Sequence, residues 1–293
     1  MRVLVTGGAG FVGTNLVNRL IKDNHEVIIF DNLSTGKQKN LNKKAKFFLV
    51  DISYKKYFED KTMDDIMSGV DVVFHLAALA RIQPSIKNPV KCLENNFNGT
   101  LNILECARKY EIPVIYAGSS SKHHNLYGSP YAWSKYSGEE LCKLYSEVYG
   151  LNTAICRFYN VYGEYHIRTG DYATVIGIFE QQYLDGDELT ITSNGEQRRD
   201  FTHVEDIVDG LMRCVGKDFK AEEFELGRGI NYSINEIADM FGKDYPKRYI
   251  AARAGEYDKT LCTDKKAHEL LDWKPTKNIE DYVKQWLEEN KWE

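Results

Sequence analysis

No stretch of this chain approaches the roughly 18 uninterrupted apolar residues of a membrane span, so none is expected. Paired cysteines are also missing. Cys92, Cys106, Cys142, Cys156, Cys214 and Cys262 are scattered without a CxxC spacing. That excludes a disulfide framework and a cysteine zinc site, and points to reduced thiols in a cytoplasmic protein. The seven histidines show no ligand spacing, so no metal is expected. Charge of one sign is not in excess: 38 basic residues stand against 43 acidic ones, net −5. Neither nucleic acid nor an anionic membrane is therefore an expected partner. The N-terminus, MRVLVTGGAGFVG, places glycines where a secretory leader has its apolar run, so no leader is expected.

What is present is enough for a core: 293 residues, 43% of them hydrophobic, suit one large domain or a domain with a smaller lobe. Short β-rich runs at Val3–Val5, Val27–Phe30, Lys46–Val50, Val72–His75, Val114–Tyr116 and Thr153–Cys156 alternate with segments of helical length. That alternation predicts a parallel sheet with helices on both faces. Asn88-Pro89 opens a helix to about Tyr110, and Ser129-Pro130 opens another to about Tyr149, with Ser129 as N-cap. Past residue 160 the pattern changes. Ser233 and Glu236 form a capping box, Gly242 terminates that helix, and Ile279, Val283, Trp286 and Leu287 make the apolar stripe of a last one. The second half is expected to mix a smaller lobe with elements that return to the main sheet.

Gly7, Gly10 and Gly13 sit between a strand and an apolar-periodic segment. This spacing provides a tight turn, close backbone approach to a pyrophosphate, and a helix N-terminus facing the anion. Asp31, at the end of the second strand, suits a ribose 2′-hydroxyl and repels a 2′-phosphate, which favours NAD over NADP. Asp51-Ile52 ends the third strand, where it either flanks an adenine ring or makes a solvated turn.

Tyr131 and Lys135 are one helical turn apart, on one face. A phenol ionising near pH ~10 is a poor base at neutral pH. A nearby ammonium and a cationic nicotinamide would favour the phenolate. Ser119-Ser120-Ser121 ends a strand just before this helix and supplies a hydroxyl to hold the reacting oxygen.

Together these segments resemble the extended short-chain dehydrogenase/reductases, specifically the NAD-dependent epimerase/dehydratase family. The likeness runs nearly end to end, through residues 7–13, Asp31-Asn32-Leu33, His75–Ala78, Asn96–Thr100, Ser119–Ser121, Tyr131–Lys135, Arg157–Gly163, Arg199–Asp206, Arg253–Glu256 and Leu271–Pro275. The fold implied is α/β: a Rossmann-type doubly wound parallel sheet (residues 1–160) with a smaller C-terminal α/β substrate-binding lobe (161–293), some segments of which return to the first domain. The resemblance implies that Gly7, Gly10, Phe11, Val12 and Gly13 hold the NAD pyrophosphate. Asp31 and Asn32 would hold the adenosine ribose, and Asp51 and Ile52 the adenine. Leu76, Ala77, Ala78 and Asn96 would line the dinucleotide. Lys135 would bond the nicotinamide ribose, with Phe158 near the nicotinamide. Asn160, Arg199, Arg253 and Glu256 would contact the diphosphate of a nucleotide-sugar substrate. Arginine's planar fork suits phosphate oxygens. Thr260 is small enough to leave room for a 2-N-acetyl group.

The sequence departs from the family in one place. Tyr131 usually follows the serine site by more than twenty residues; here 12 separate it from Ser119, and Lys122–Leu126 form a short link where a longer loop is expected. Strand register favours Ser119 as the catalytic hydroxyl, with Ser120 or Ser121 as alternatives. Dehydratases and decarboxylases of the family carry an acid beside this serine; here the positions hold Ser120 and Ser121, near the sugar. The expected activity is therefore 4-epimerisation of a UDP-hexose, with a dehydratase, decarboxylase or reductase as alternatives, and a non-catalytic NAD-binding protein as the alternative of another class. The two long helices resemble the family's dimer-forming pair, so a homodimer is expected.

Overall fold

The computed structural model describes residues 1–54 and 62–290. Strands β1 (Arg2–Thr6), β2 (Glu26–Asp31), β3 (Lys46–Leu49), β4 (Val72–His75), β5 (Val114–Ser119) and β6 (Thr153–Phe158) form one parallel sheet. β7 (Asn160–Tyr162), β8 (Leu189–Thr192) and β9 (Arg198–His203) leave it, and β10 (Glu222–Leu226) returns as its seventh strand beside β6. β11 (Asn231–Ser233) leaves again to pair with β9, and β12 (Lys247–Ile250) pairs with β8. The order of the large sheet is β10-β6-β5-β4-β1-β2-β3. The order reverses between β1 and β4, so the ligand crevice of a doubly wound sheet opens there.

The inner strands of the sheet are buried on both faces, which is why β1, β2 and β4 read as continuous apolar runs. In β2, Ile28 and Phe30 enter one core with Ile103, Leu104 and Leu141 of the helices Gly99–Lys109 and Pro130–Tyr149. Val27 and Ile29 enter the other, with Leu16, Val17 and Leu20 of the helix Phe11–Lys22 and Ile207 and Leu211 of the helix Val204–Met212. A third cluster joins Phe179, Ile191, Phe201, Ile237 and Trp286 beneath the smaller sheets. Ser233 and Glu236 close their capping box, and the helix Ile279–Glu289 buries Ile279, Val283 and Trp286. No helix among the described residues is long and apolar enough to cross a membrane. All six cysteines are free and buried.

The helix expected from Asn88 to Tyr110 is not uniform. It runs as an α-helix over Pro89–Leu93, widens into a π-turn over Glu94–Asn98, and resumes at Gly99. The helix Pro130–Tyr149 matches its sequence signals: the Ser129 side chain accepts from the Ala132 amide, and Gly150 ends it in the left-handed conformation.

Candidate active site

A cleft of about 780 Å³ runs along the carboxyl ends of β1, β4 and β5. It brings together Gly7, Gly10, Phe11, Val12, Gly13, Asp31, Asn32, Ile52, Leu76, Ala77, Ala78 and Phe158 with Ser119, Ser120, Ser121, Tyr131, Lys135, Asn160, Arg199, Arg253, Glu256 and Thr260.

At one end the chain is packed too tightly for side chains. Gly7 has φ +74°, and a Cβ on Gly13 would stand 2.0 Å from the Gly7 carbonyl oxygen. The turn therefore exists only with glycine at these places. The N-terminus of the helix Phe11–Lys22 faces the cleft with Gly10 as its N-cap. Asp31 is nearly buried; its two oxygens accept from the Ala9 amide at 3.0 Å and the Leu33 amide at 2.8 Å. Burial raises its pKa and these two bonds oppose the rise. These are features that suit a dinucleotide: a backbone turn free of side chains, a helix N-terminus able to face an anion and a carboxylate able to accept from hydroxyls.

Two residues assigned to the cofactor do not line the cleft. Asp51 accepts from Asn32 Nδ2 at 3.1 Å and from the Ser53 amide and hydroxyl, so it braces Asn32 rather than standing in the cleft itself. Asn96, on the π-turn, is buried; its side-chain oxygen accepts from the Leu79 amide at 2.8 Å, while Nδ2 donates to the Leu79 carbonyl and to Ser134 Oγ. It clamps the segment after β4 that lines the cleft. His75 does similar work from below, bridging Thr6 Oγ1 and Thr100 Oγ1 at 2.7 and 3.0 Å. Burial drives its pKa to about 3, so it is a neutral brace.

At the centre of the cleft, Tyr131 Oη donates to Ser119 Oγ at 3.3 Å. Ser119 Oγ also accepts from the Ser121 amide and hydroxyl, at 3.2 and 2.9 Å. Of the three serines, Ser119 is the one bonded to the phenol. Lys135 is buried one turn along the helix, its Nζ 4.2 Å from the centre of the Tyr116 ring. Desolvation pulls its pKa down to about 8, with the Glu139 carboxylate opposing. Desolvation also raises the Tyr131 phenol above its ordinary value; the Ser119 hydrogen bond and the Arg81 charge work against the rise. The acidification expected of Tyr131 from Lys135 is thus not supplied by the protein alone: burial outweighs the Ser119 bond and the Arg81 charge, and Lys135 is not among the groups that lower the phenol. Glu139, buried four residues beyond Lys135, binds Arg157 through both oxygens. Its i,i+4 relation to Lys135 was the signal available in the sequence.

The far end is built from side chains. Arg199 and Glu256 line it with Arg253, and both Arg253 and Glu256 are exposed. Desolvation lowers the Arg199 pKa, and Glu256 and Asp258 oppose the shift. Asn160 donates both its recorded bonds inward, to the Asp200 carbonyl and to Thr260 Oγ1, each at 3.1 Å. A phosphate oxygen would have to displace one of them. Thr260 is buried, and its hydroxyl also accepts from the Asp200 amide. Asp200 itself accepts the amides of Arg228, Gly229 and Cys262, all at 2.9 Å, which makes the centre of the Arg199–Asp206 motif a structural brace.

The shortened link is anchored from the second half of the chain. Lys122 Nζ pairs with Glu223 at 2.9 Å and His123 Nε2 with Glu225 at 2.8 Å, both glutamates being on β10. His124 stacks on Tyr257 at 3.9 Å, joining the link to the 251–258 segment.

The chain matches the model of the NAD dependent epimerase/dehydratase family over residues 3–227. A Methanocaldococcus jannaschii protein provisionally named UDP-glucose 4-epimerase is 38% identical, over 98% of this chain and 99% of the relative. The UDP-N-acetyl-alpha-D-glucosaminuronate decarboxylase of Bacillus cytotoxicus is 34% identical over 81% of this chain and 78% of its own length. The crystal structure of Thermotoga maritima UDP-glucose 4-epimerase with UDP-glucose superposes with a TM-score of 0.90 at 32% identity, covering 98% of both chains. With its seven-stranded sheet, glycine turn and Ser–Tyr–Lys cleft, the chain belongs to the NAD dependent epimerase/dehydratase family, as an extended short-chain dehydrogenase/reductase-type enzyme that uses NAD.

Proposed function

We propose that this enzyme is a UDP-sugar 4-epimerase. The observation that carries the reading is the Tyr131–Ser119 hydrogen bond in a cleft whose acids do not meet the reacting pair. The acidic residues of the lining are Asp31, Asp171 and Glu256. Asp31 is committed at the cofactor end, Asp171 pairs with Lys87, and Glu256 is exposed. Glu139 lies near the Ser119 amide but is spent on Arg157.

In this reading Gly7, Gly10, Phe11, Val12 and Gly13 hold the pyrophosphate of NAD and Asp31 and Asn32 its ribose, while Lys135 meets the nicotinamide ribose beside Phe158. NAD, when bound, supplies a hydride acceptor and donor for C4. Tyr131 Oη takes the proton of the C4 hydroxyl, Ser119 Oγ holds the same oxygen, and the Lys135 ammonium favours the phenolate. Ser120 and Ser121 border the sugar, and Arg199 and Arg253 meet the diphosphate. A 4-keto sugar in this cleft finds no acid placed to expel the C6 hydroxyl, so reduction from the opposite face, which inverts C4, is the outcome the residues favour. The cofactor side falls within residues 1–160 and the substrate lobe within 161–293, with β10 returning to the main sheet.

Incubation with UDP-glucose, UDP-galactose and their N-acetyl and uronic acid analogues, without added reductant, tests the proposal. A C4 epimer of unchanged mass supports it. Loss of water identifies a dehydratase, loss of carbon dioxide a decarboxylase, and consumption of added NADH a reductase. NAD binding with none of these identifies a non-catalytic protein.

We also infer a cytoplasmic homodimer, consistent with the six free thiols. Val90, Trp133, Leu144, Val148 and Tyr149 are apolar yet exposed on the two long helical segments. A Leu144→Glu/Val148→Glu variant that sediments as a monomer would support this face as the interface.

A further inference from the structure

The cations along the substrate side of the cleft differ in what surrounds them. Lys87 pairs with Asp171 at 3.4 Å. Arg199 has Glu256 and Asp258 within electrostatic reach, and Arg253 stands in solvent. Arg81 has neither kind of relief. It is half-buried, lines the cleft, and donates from Nε to the Tyr172 carbonyl at 3.2 Å. No carboxylate among the described residues forms an ion pair with it, and burial works against its charge. The Tyr131 phenol, where the sugar reacts, lines the same cleft within electrostatic reach of it.

A half-buried guanidinium without a counter-ion is costly unless a ligand completes it. Sugar hydroxyls accept hydrogen bonds but leave the charge in place. A carboxylate accepts two parallel N–H groups and neutralises it. The location narrows the ligand further. In a hexuronate the carboxylate is carried by C5, next to the C4 that reacts at Tyr131, and Arg81 shares that cleft. The diphosphate at the far end already has Arg199 and Arg253.

Resting on the reading of this cleft as a UDP-sugar site, we propose that Arg81 is its specificity-determining residue and selects a UDP-hexuronate over neutral UDP-hexoses. Its Nε bond to Tyr172 orients the fork, and its terminal nitrogens receive the carboxylate.

The test is calorimetric binding of UDP-glucuronate, UDP-glucose and UDP to the NAD-saturated protein, with turnover of both sugars followed in parallel. The wild type is expected to bind UDP-glucuronate at least about tenfold more tightly than UDP-glucose, as a charge-assisted bidentate pair requires. Arg81→Met should erase that preference while leaving UDP-glucose and UDP affinity within about twofold, and Arg81→Lys should restore part of it. Equal affinities in the wild type overturn the proposal. So does a uniform loss for all three ligands in Arg81→Met with an unchanged melting temperature, which would assign Arg81 to the nucleotide or the phenol. If neither sugar is turned over, the epimerase reading fails on its own, and an Arg81-dependent binding preference still decides the selectivity. If the wild type binds neither sugar, both readings fall.

Discussion

The two ends of the cleft are made of different material. The cofactor end is backbone: a glycine turn in which a single added Cβ collides with a carbonyl oxygen, and a carboxylate pinned by two amides. The substrate end is long side chains, Arg81, Arg199, Arg253 and Glu256, held by single hydrogen bonds or standing in solvent. A backbone-built site is fixed before its ligand arrives and recognises a group common to many ligands. A side-chain site is tuned one residue at a time, so that specificity resides there.

If the ends are separable, damage at one should spare the other. The largest effect is expected from Tyr131→Phe. Turnover should fall about 10³-fold, the range of a lost general base, with NAD content after purification unchanged. Wild-type turnover would remove Tyr131 from the chemistry, and loss of NAD would join the two ends. Gly13→Ala comes next. The new Cβ meets the Gly7 carbonyl oxygen at 2.0 Å, so the turn must open. NAD affinity should weaken about 10- to 100-fold by fluorescence titration, while UDP binding persists. Undiminished NAD affinity would sink the backbone-cradle account.

A smaller effect is set by pH. Lys135 is charged below its depressed value of about 8 and loses its proton above it. The kcat profile should therefore fall on the alkaline side near pH 8, about tenfold per unit. A profile still level at pH ~10 would mean that the ammonium takes no part. The smallest effect concerns the link Lys122–Leu126. Glu225 raises the His123 pKa above 6.5, so this pair stabilises the fold fully below that value and ceases to as pH rises through the raised one. Solvent screening at a half-exposed ring leaves about 0.5 kcal/mol. Urea melts from pH 8 to pH 6 should show, beside the loss that neutral His75 causes in both proteins, that gain in the wild type and none in His123→Gln. The same gain in the variant would exclude the pair as its source.

The contrast also explains what was legible in the sequence. Six strands and the glycine turn could be read because buried parallel strands are apolar runs and tight turns demand glycine. β10 could not: its sequence, EEFEL, carries three glutamates, and Glu223 and Glu225 are held inside by Arg157, Lys122 and His123, contacts some 65 to 100 residues away in sequence. Arg81 is hidden in the sequence for a related reason. Its significance lies in Tyr172 and Tyr131, which no local spacing connects to it. The π-turn at Glu94–Asn98 has no compositional mark, so the sequence does not show that the Asn96 amide is spent on Leu79 and Ser134. The Ser–Tyr–Lys set was legible because strand register and one helical turn placed it.

The return of β10 to the large sheet has a mechanical consequence. After β6 the polypeptide goes out to β9, comes back for β10 and goes out again to β11, which lies alongside β9. Two layers joined by repeated crossings cannot move relative to each other without bending every crossing at once. The His124–Tyr257 stack adds one more tie of the same kind, fastening the Lys122–Leu126 link to a residue of the cleft wall.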